Sequence, residues 1–171
     1  AIGGFDITGA ANLGLTTTGA ISGSGSLVKT GQGVITYSGN NTYTGGTTLY
    51  QGINIVGSDT AFGTGTVNLN GASLRAHTVA RRTLTNNIII NTSMTFNTTV
   101  GEKSLILAGP VTVTGFRQLA VATGSNDPNE PLIISGPIGD GGNNYQINKS
   151  STGILVLTGQ NTFGGPLVLQ A

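Results

Sequence analysis

The residues able to do chemistry are few and scattered. The chain of 171 residues carries seven Lys and Arg, six Asp and Glu, one His and no Cys. Arg75, His77, Arg81 and Arg82 make the one visible concentration of charge. It suits an anionic partner such as an acidic glycan, a lipopolysaccharide or a neighbouring subunit's carboxylates, and solvated side chains on a connecting loop would leave the same pattern. Polysaccharide cleavage needs carboxylates grouped on one face, whereas Asp6, Asp59, Glu102, Asp127, Glu130 and Asp140 are spread along the chain. No Ser and Asp gather around His77 as a nucleophilic triad would require. Gly23-Ser24-Gly25 and Gly63-Thr64-Gly65 lack the rest of any phosphate-binding fingerprint and read as turns. Asp127, Glu130 and Asp140 offer oxygen ligands, but their spacing fits neither an EF-hand nor the Gly- and Asp-rich nonapeptide repeat. The expectation is no catalytic residue, no metal site and no cofactor.

Composition narrows the class further. Apolar residues make up 37% and charged residues 8%, against roughly 25% charged in an ordinary soluble chain. Charge has been removed, not apolar material, so the chain is expected to fold rather than stay disordered. A net charge of +1 supplies no field to steer nucleic acid or an anionic membrane surface, and no apolar run approaches the roughly 18 residues of a membrane helix. Neither nucleic acid nor membrane insertion is expected. So little net charge also leaves copies of the chain with little mutual repulsion.

The elements that would position any site are strands. Val34–Tyr37, Gly52–Val56, Thr66–Asn70, Ile88–Ile90, Ser104–Leu107, Val111–Thr114, Pro131–Ile134 and Ile154–Leu157 are short, β-branched runs bounded by Gly, Asn or Pro. No 3.6-residue periodicity persists over any long window. The rhythm fits either an antiparallel sandwich or barrel, or a solenoid of parallel strands.

An internal repeat decides between them. Lys29-Thr30-Gly31-Gln32-Gly33-Val34-Ile35-Thr36-Tyr37-Ser38-Gly39-Asn40-Asn41-Thr42-Tyr43 aligns without gaps on Lys149-Ser150-Ser151-Thr152-Gly153-Ile154-Leu155-Val156-Leu157-Thr158-Gly159-Gln160-Asn161-Thr162-Phe163, and the match runs on to Leu49 and Leu169. One domain spanning 1–171 is expected, with repeat copies near 19–76 and 131–171 and a divergent middle.

The string from Lys29 to Thr48 resembles the autotransporter-associated β-strand repeat of secreted bacterial passenger regions, and Thr60 to Leu74 resembles its usual continuation. The resemblance implies a right-handed parallel β-helix outside the cell, in adhesion or as a stalk, exported by a signal or parent chain lying outside these residues. It implies no catalytic residues, because the repeat motif is structural.

Elementary physics supplies the same all-β architecture. Rungs of a β-solenoid stack at about 4.8 Å, pair their backbones with the rungs above and below, and turn every second side chain inward. Rungs of roughly 20 to 25 residues would give about seven or eight of them. Gly39, Asn41, Gly45 and their counterparts Gly159, Asn161, Gly165 suit the corners, where tight turns and side-chain-to-backbone hydrogen bonds are needed. Tyr43 and Phe163 suit corner packing better than sugar stacking, because they recur at equivalent positions.

The second copy reaches Leu169-Gln170-Ala171 where the first proceeds to Gly52–Val56, and Ala1-Ile2-Gly3-Gly4-Phe5 can follow Ala171 as that strand. Ala11-Asn12-Leu13-Gly14 likewise resembles Thr60-Ala61-Phe62-Gly63. Uncapped solenoid ends leave strand edges that pair with other chains. Ala1, Ile2, Phe5, Leu167, Leu169 and Ala171 are therefore expected at an end-to-end contact between copies, with glycans of a host or neighbouring cell as a second class of partner. The expected function is a non-enzymatic surface fibre; the alternative is a fragment of an autotransporter passenger serving as an adhesin stalk.

Overall fold

The computed structural model describes residues 2–6, 14–98, 101–123 and 130–170, with the backbone alone at 2–6, 97–98 and 123. The described residues contain nineteen strands and no helix, and every pairing is parallel. The strands form three walls. Wall A stacks β1 (Ile2–Asp6), β3 (Ser26–Thr30), β5 (Thr47–Leu49), β7 (Val67–Leu69), β10 (Ile88–Ile90), β13 (Val111–Val113) and β16 (Ile138–Gly139). Wall B stacks β2 (Gly14–Thr17), β4 (Val34–Tyr37), β6 (Ile53–Val56), β8 (Ser73–Ala76), β11 (Met94–Thr98), β14 (Arg117–Thr123), β17 (Ile147–Ser150) and β19 (Leu167–Leu169). Wall C holds β9 (Arg82–Leu84), β12 (Leu105–Leu107), β15 (Leu132–Ile134) and β18 (Leu155–Leu157). The chain visits the walls in turn and coils into a β-solenoid of about seven turns.

Alternation decides which side chains form the core. Buried and half-buried positions alternate along β4, β6 and β8, as strands with one face inward require. Pairing then lines the inward residues into columns running across the rungs. Lys29, Leu49, Leu69, Ile90 and Val113 form one in wall A, Ile35, Asn54, Leu74, Phe96 and Val121 one in wall B, and Leu84, Leu107, Ile134 and Leu157 one in wall C. In the early turns the third side is irregular, and there Tyr43, Ala61 and Phe62 are buried. The Phe62 ring packs edge-on to Tyr37 at 5.1 Å.

Glycine is demanded where rungs meet at a corner. A Cβ on Gly136 would lie 1.9 Å from the carbonyl oxygen of Gly109, and one on Gly159 would lie 2.2 Å from that of Gly136. Gly39 stands over Gly19 in the same way, at 2.2 Å. No side chain fits at those separations.

Candidate end-to-end interface

The repeat holds two polar groups in the interior of the coil. Lys29 is wholly buried, and its Nζ donates to the carbonyls of Thr30 and Gly31, the latter at 2.7 Å, and to Gln51 on the next rung at 3.4 Å. Gly31 makes this possible by adopting φ 72°, which turns the strand exit back over the ammonium. Asn41, also wholly buried, pins three rungs together. Its Oδ1 accepts the backbone N–H of Ile21 below at 2.8 Å, and its Nδ2 donates to the carbonyl of Ala61 above at 2.7 Å.

The second copy repeats both devices. Lys149 Nζ donates to the carbonyl of Ser151, and Ser151 takes φ 64°, the left-handed conformation that Gly31 has in the first copy. Asn161 Oδ1 accepts the N–H of Ile138 at 3.0 Å. What differs is cover. Ile35, Tyr37, Asn41, Tyr43 and Leu49 are all buried, whereas Leu155, Leu157 and Phe163 are half-buried and Asn161 is exposed. Leu169, the counterpart of Leu49, is 74% exposed. Leu155, Leu157, Leu167, Leu169, Lys149 and Thr152 line an open concavity of about 670 Å³ at this end of the coil.

The copies also occupy different walls. Strands β3, β4 and β5 stand in walls A, B and A, while their sequence equivalents β17, β18 and β19 stand in B, C and B. Wall A takes five steps from β3 to reach β16, and β17 follows one wall further on. The local hydrogen bonding of the repeat is thus independent of the wall it lands on.

Leu167 and Leu169 lie in β19, the outermost strand of wall B, and both are exposed. Ile2 and Phe5 lie in β1, the outermost strand of wall A at the other end, where Leu15 of β2 is 37% exposed although its rung-neighbour Ile35 is buried. Ala1, Ala171, Ala11, Asn12 and Leu13 fall outside the described residues. The likeness of residues 11–14 to 60–63 does not extend to the strands that follow: β2 stands in wall B after β1 in wall A, whereas β7 stands in A after β6 in B.

The basic cluster is built into the fold. Arg75 is in β8 and Arg82 in β9, not on a loop. Arg75 meets the buried Glu102 at 2.8 Å, Arg81 meets Glu130 at 3.1 Å, and Arg82 approaches Asp59 at 4.0 Å. The Nδ1 of His77 accepts the N–H of Val79 at 3.2 Å. Each arginine therefore already faces a carboxylate of the same chain.

The acids likewise hold rungs together. Glu130 accepts from the backbone N–H and hydroxyl of Ser104 at 2.7 and 2.9 Å and pairs with Lys103 at 3.4 Å. Partial desolvation pushes its carboxyl up, and these donors with Arg81 outweigh it, bringing it down to about 2. Asp140 accepts the N–H groups of Gly142, Tyr145 and Gly164 at 2.9, 2.9 and 3.1 Å, the last on the following rung. Desolvation again works upward, and the donors of Gly164, Tyr145, Gly142 and Asn144 hold the carboxyl below its ordinary range. Among the described residues no three His, Cys, Asp or Glu converge as metal ligands would. Asp127 falls outside the described residues.

The passenger-associated-transport-repeat family matches residues 27–53 and 147–171. These segments begin within β3 and at the start of β17 and include both lysines, both corner asparagines, and β5 and β19. No curated protein and no solved structure gives a match to the chain.

Proposed function

We propose that this chain, carrying two passenger-associated repeats on a β-solenoid, is a non-enzymatic structural segment of a secreted or surface-exposed protein, and that copies stack head to tail into a fibre. The observation that carries the reading is the unequal cover of two equal repeats. Residues that the first copy buries under a further rung are exposed in the second, Leu169 to 74% against 0% for Leu49. A further rung of the same chemistry would extend the apolar columns and satisfy the open strand edge, which is how solenoid repeats stabilise one another. Because the two ends differ, the contact is heterologous and propagates as a filament rather than closing as a dimer. Repeats of passenger type support export to the cell surface, where such a fibre or an adhesin stalk would act.

Negative-stain electron microscopy across a concentration series, with light scattering alongside, tests the reading. Thin filaments are expected, with a subunit spacing of a few tens of Å, as about seven rungs at about 4.8 Å would give. Monomers at every concentration would overturn self-stacking and assign the covering rung to the same polypeptide, in a longer passenger stalk.

A further inference from the structure

The aromatic residues whose side chains are described divide sharply by exposure. Tyr37, Tyr43, Phe62 and Phe96 are buried, and Tyr145 and Phe163 pack against the core, whereas Tyr50 and Phe116 are 47% and 53% exposed. Both exposed rings stand on the corner between walls A and B, Tyr50 in the connection from β5 to β6 and Phe116 in that from β13 to β14. Three steps of wall A separate β5 from β13, so at about 4.8 Å a step the two residues lie about 14 Å apart along the axis. The two connections between them, residues 70–72 and 91–93, put small or polar residues at the same corner, with Gly71, Thr92 and Ser93 exposed. A Cβ on Gly71 would lie 3.4 Å from the Tyr50 carbonyl oxygen and 3.5 Å from the Thr92 hydroxyl, so these corners follow directly on one another. Two aromatic rings thus bracket a stretch of small side chains.

We propose that this corner binds a neutral oligosaccharide, Tyr50 and Phe116 stacking on sugar rings and the amides and hydroxyls beside them bonding to sugar hydroxyls. The apolar C–H face of a pyranose suits an exposed aromatic ring, and its rim of hydroxyls suits groups that both donate and accept. Such groups adjoin Phe116. Gln118, two residues further on and exposed, donates its backbone N–H to Ser93 Oγ at 2.9 Å and its Nε2 to Ser150 Oγ at 2.9 Å. Ser93, Thr95, Gln118, Ala120 and Ser150 line an open concavity of about 270 Å³ across β11, β14 and β17 of wall B. Charge selects against an acidic glycan, since no residue of the four connections is charged. Arg117, which follows Phe116, is already engaged: its Nε donates to the Ile90 carbonyl at 3.1 Å, its Nη1 to the Phe116 carbonyl at 2.7 Å and its Nη2 to Thr114 Oγ1 at 2.9 Å. Those bonds hold the connection that carries Phe116, and Gly115 leaves room for them, because a Cβ there would lie 2.9 Å from Nη1. Both β5 and β13 are interior strands of wall A, so the corner is the same in a single copy and in a fibre.

Cellotetraose, maltotetraose, mannotetraose and chitotetraose, each titrated into dilute isotope-labelled protein and followed by NMR, test the site, with a heparin tetrasaccharide as the acidic comparison. At least one neutral tetrasaccharide is expected to shift the amide signals of Gly71, Thr92, Ser93 and Gln118 saturably. Tyr50→Ala and Phe116→Ala should each weaken that binding about tenfold, the scale of one lost aromatic contact. Thermal melting should stay unchanged in both, because the side chains are exposed. Tyr50→Phe and Phe116→Tyr, which keep a ring at each position, should retain binding. No shift with any of the four neutral sugars, shifts that survive both alanine variants, or tighter binding of the heparin tetrasaccharide would overturn the proposal.

Discussion

The Oδ1 of Asn41 accepts the backbone N–H of Ile21 from the rung below at 2.8 Å, while the Nδ2 of the same side chain serves Ala61 on the rung above. One side chain thereby holds a corner of three successive turns. Asn161 makes the lower bond alone among those described, at 3.0 Å to Ile138, and is exposed. Asn41→Ala should cost about 1–3 kcal/mol for each buried partner left unsatisfied. Asn161→Ala should cost less, since water reaches the exposed side. Urea denaturation midpoints at unchanged m-value check the difference; equal losses would show that cover by the next rung does not matter.

The lysines invite a similar comparison. Lys29→Met keeps most of the volume but strips the Thr30 and Gly31 carbonyls of their donor in a dry interior, and a loss of about 1–3 kcal/mol is expected. Lys149 is half-buried, and Lys149→Met should cost under about 1 kcal/mol, by the same denaturation measurement. A stabilised Lys29→Met would mean that desolvating the ammonium costs more than its carbonyl bonds return.

Acid should weaken the fold through Glu130. Its carboxyl titrates near 4.5 when unfolded and at about 2 when folded, so the folded state favours the ionised form. The stabilisation is full above about pH 4.5 and fades as pH falls through about 2. Glu130→Gln should therefore melt below the wild type at neutral pH, with the gap closing across that window. Thermal melts from pH 7 to 2 check it, and a gap independent of pH would remove the ionic explanation.

Alkali tests the interior from the other side. Burial raises the Tyr43 hydroxyl to about 12 and Tyr37 higher still, the phenol of Tyr37 donating to Asn54 Oδ1 at 3.0 Å. Both folded values lie above the ordinary 10, so their contribution to stability holds below pH 10 and is lost as pH rises. Spectrophotometric titration of the four tyrosines should show two ionising only as the chain unfolds, and reversible ionisation of all four in the folded state would contradict the burial.

The walls were legible in the sequence where short apolar, β-branched runs are bounded by Gly, Asn or Pro, as at Val34–Tyr37 and Ile154–Leu157, because such runs suit a half-buried strand and their bounds suit turns. Strands such as Ser73–Ala76 and Arg117–Thr123 turn Leu74 and Ala76, and Leu119 and Val121, inward but hold few β-branched residues, so they lacked that mark. The corner role of Asn41 was readable from the repeat. The inward position of Lys29 was not, since nothing local distinguishes a lysine whose ammonium is folded onto its own strand exit from one in water. The pairing of Arg75 with Glu102 was equally hidden, because it depends on which residues one turn of the coil brings together.

The equivalence of Leu49 and Leu169 yields the sharpest contrast. Leu49 lies between Lys29 and Leu69 in an inward column and is fully buried; Leu49→Ala should destabilise by about 2–5 kcal/mol. Leu169 sits over Lys149 with nothing of the described chain above it and is 74% exposed. In the dilute monomer Leu169→Ala should change stability by no more than about 0.5 kcal/mol. If copies stack, the same leucine becomes interior, and the substitution should raise the concentration needed for filaments about tenfold, since 1.4 kcal/mol of lost burial per contact is a factor of ten in the association constant. Melting of dilute protein and light scattering of concentrated protein separate the two effects. A substitution silent in both would place Leu169 outside any interface and leave the exposed rung without a partner of this kind.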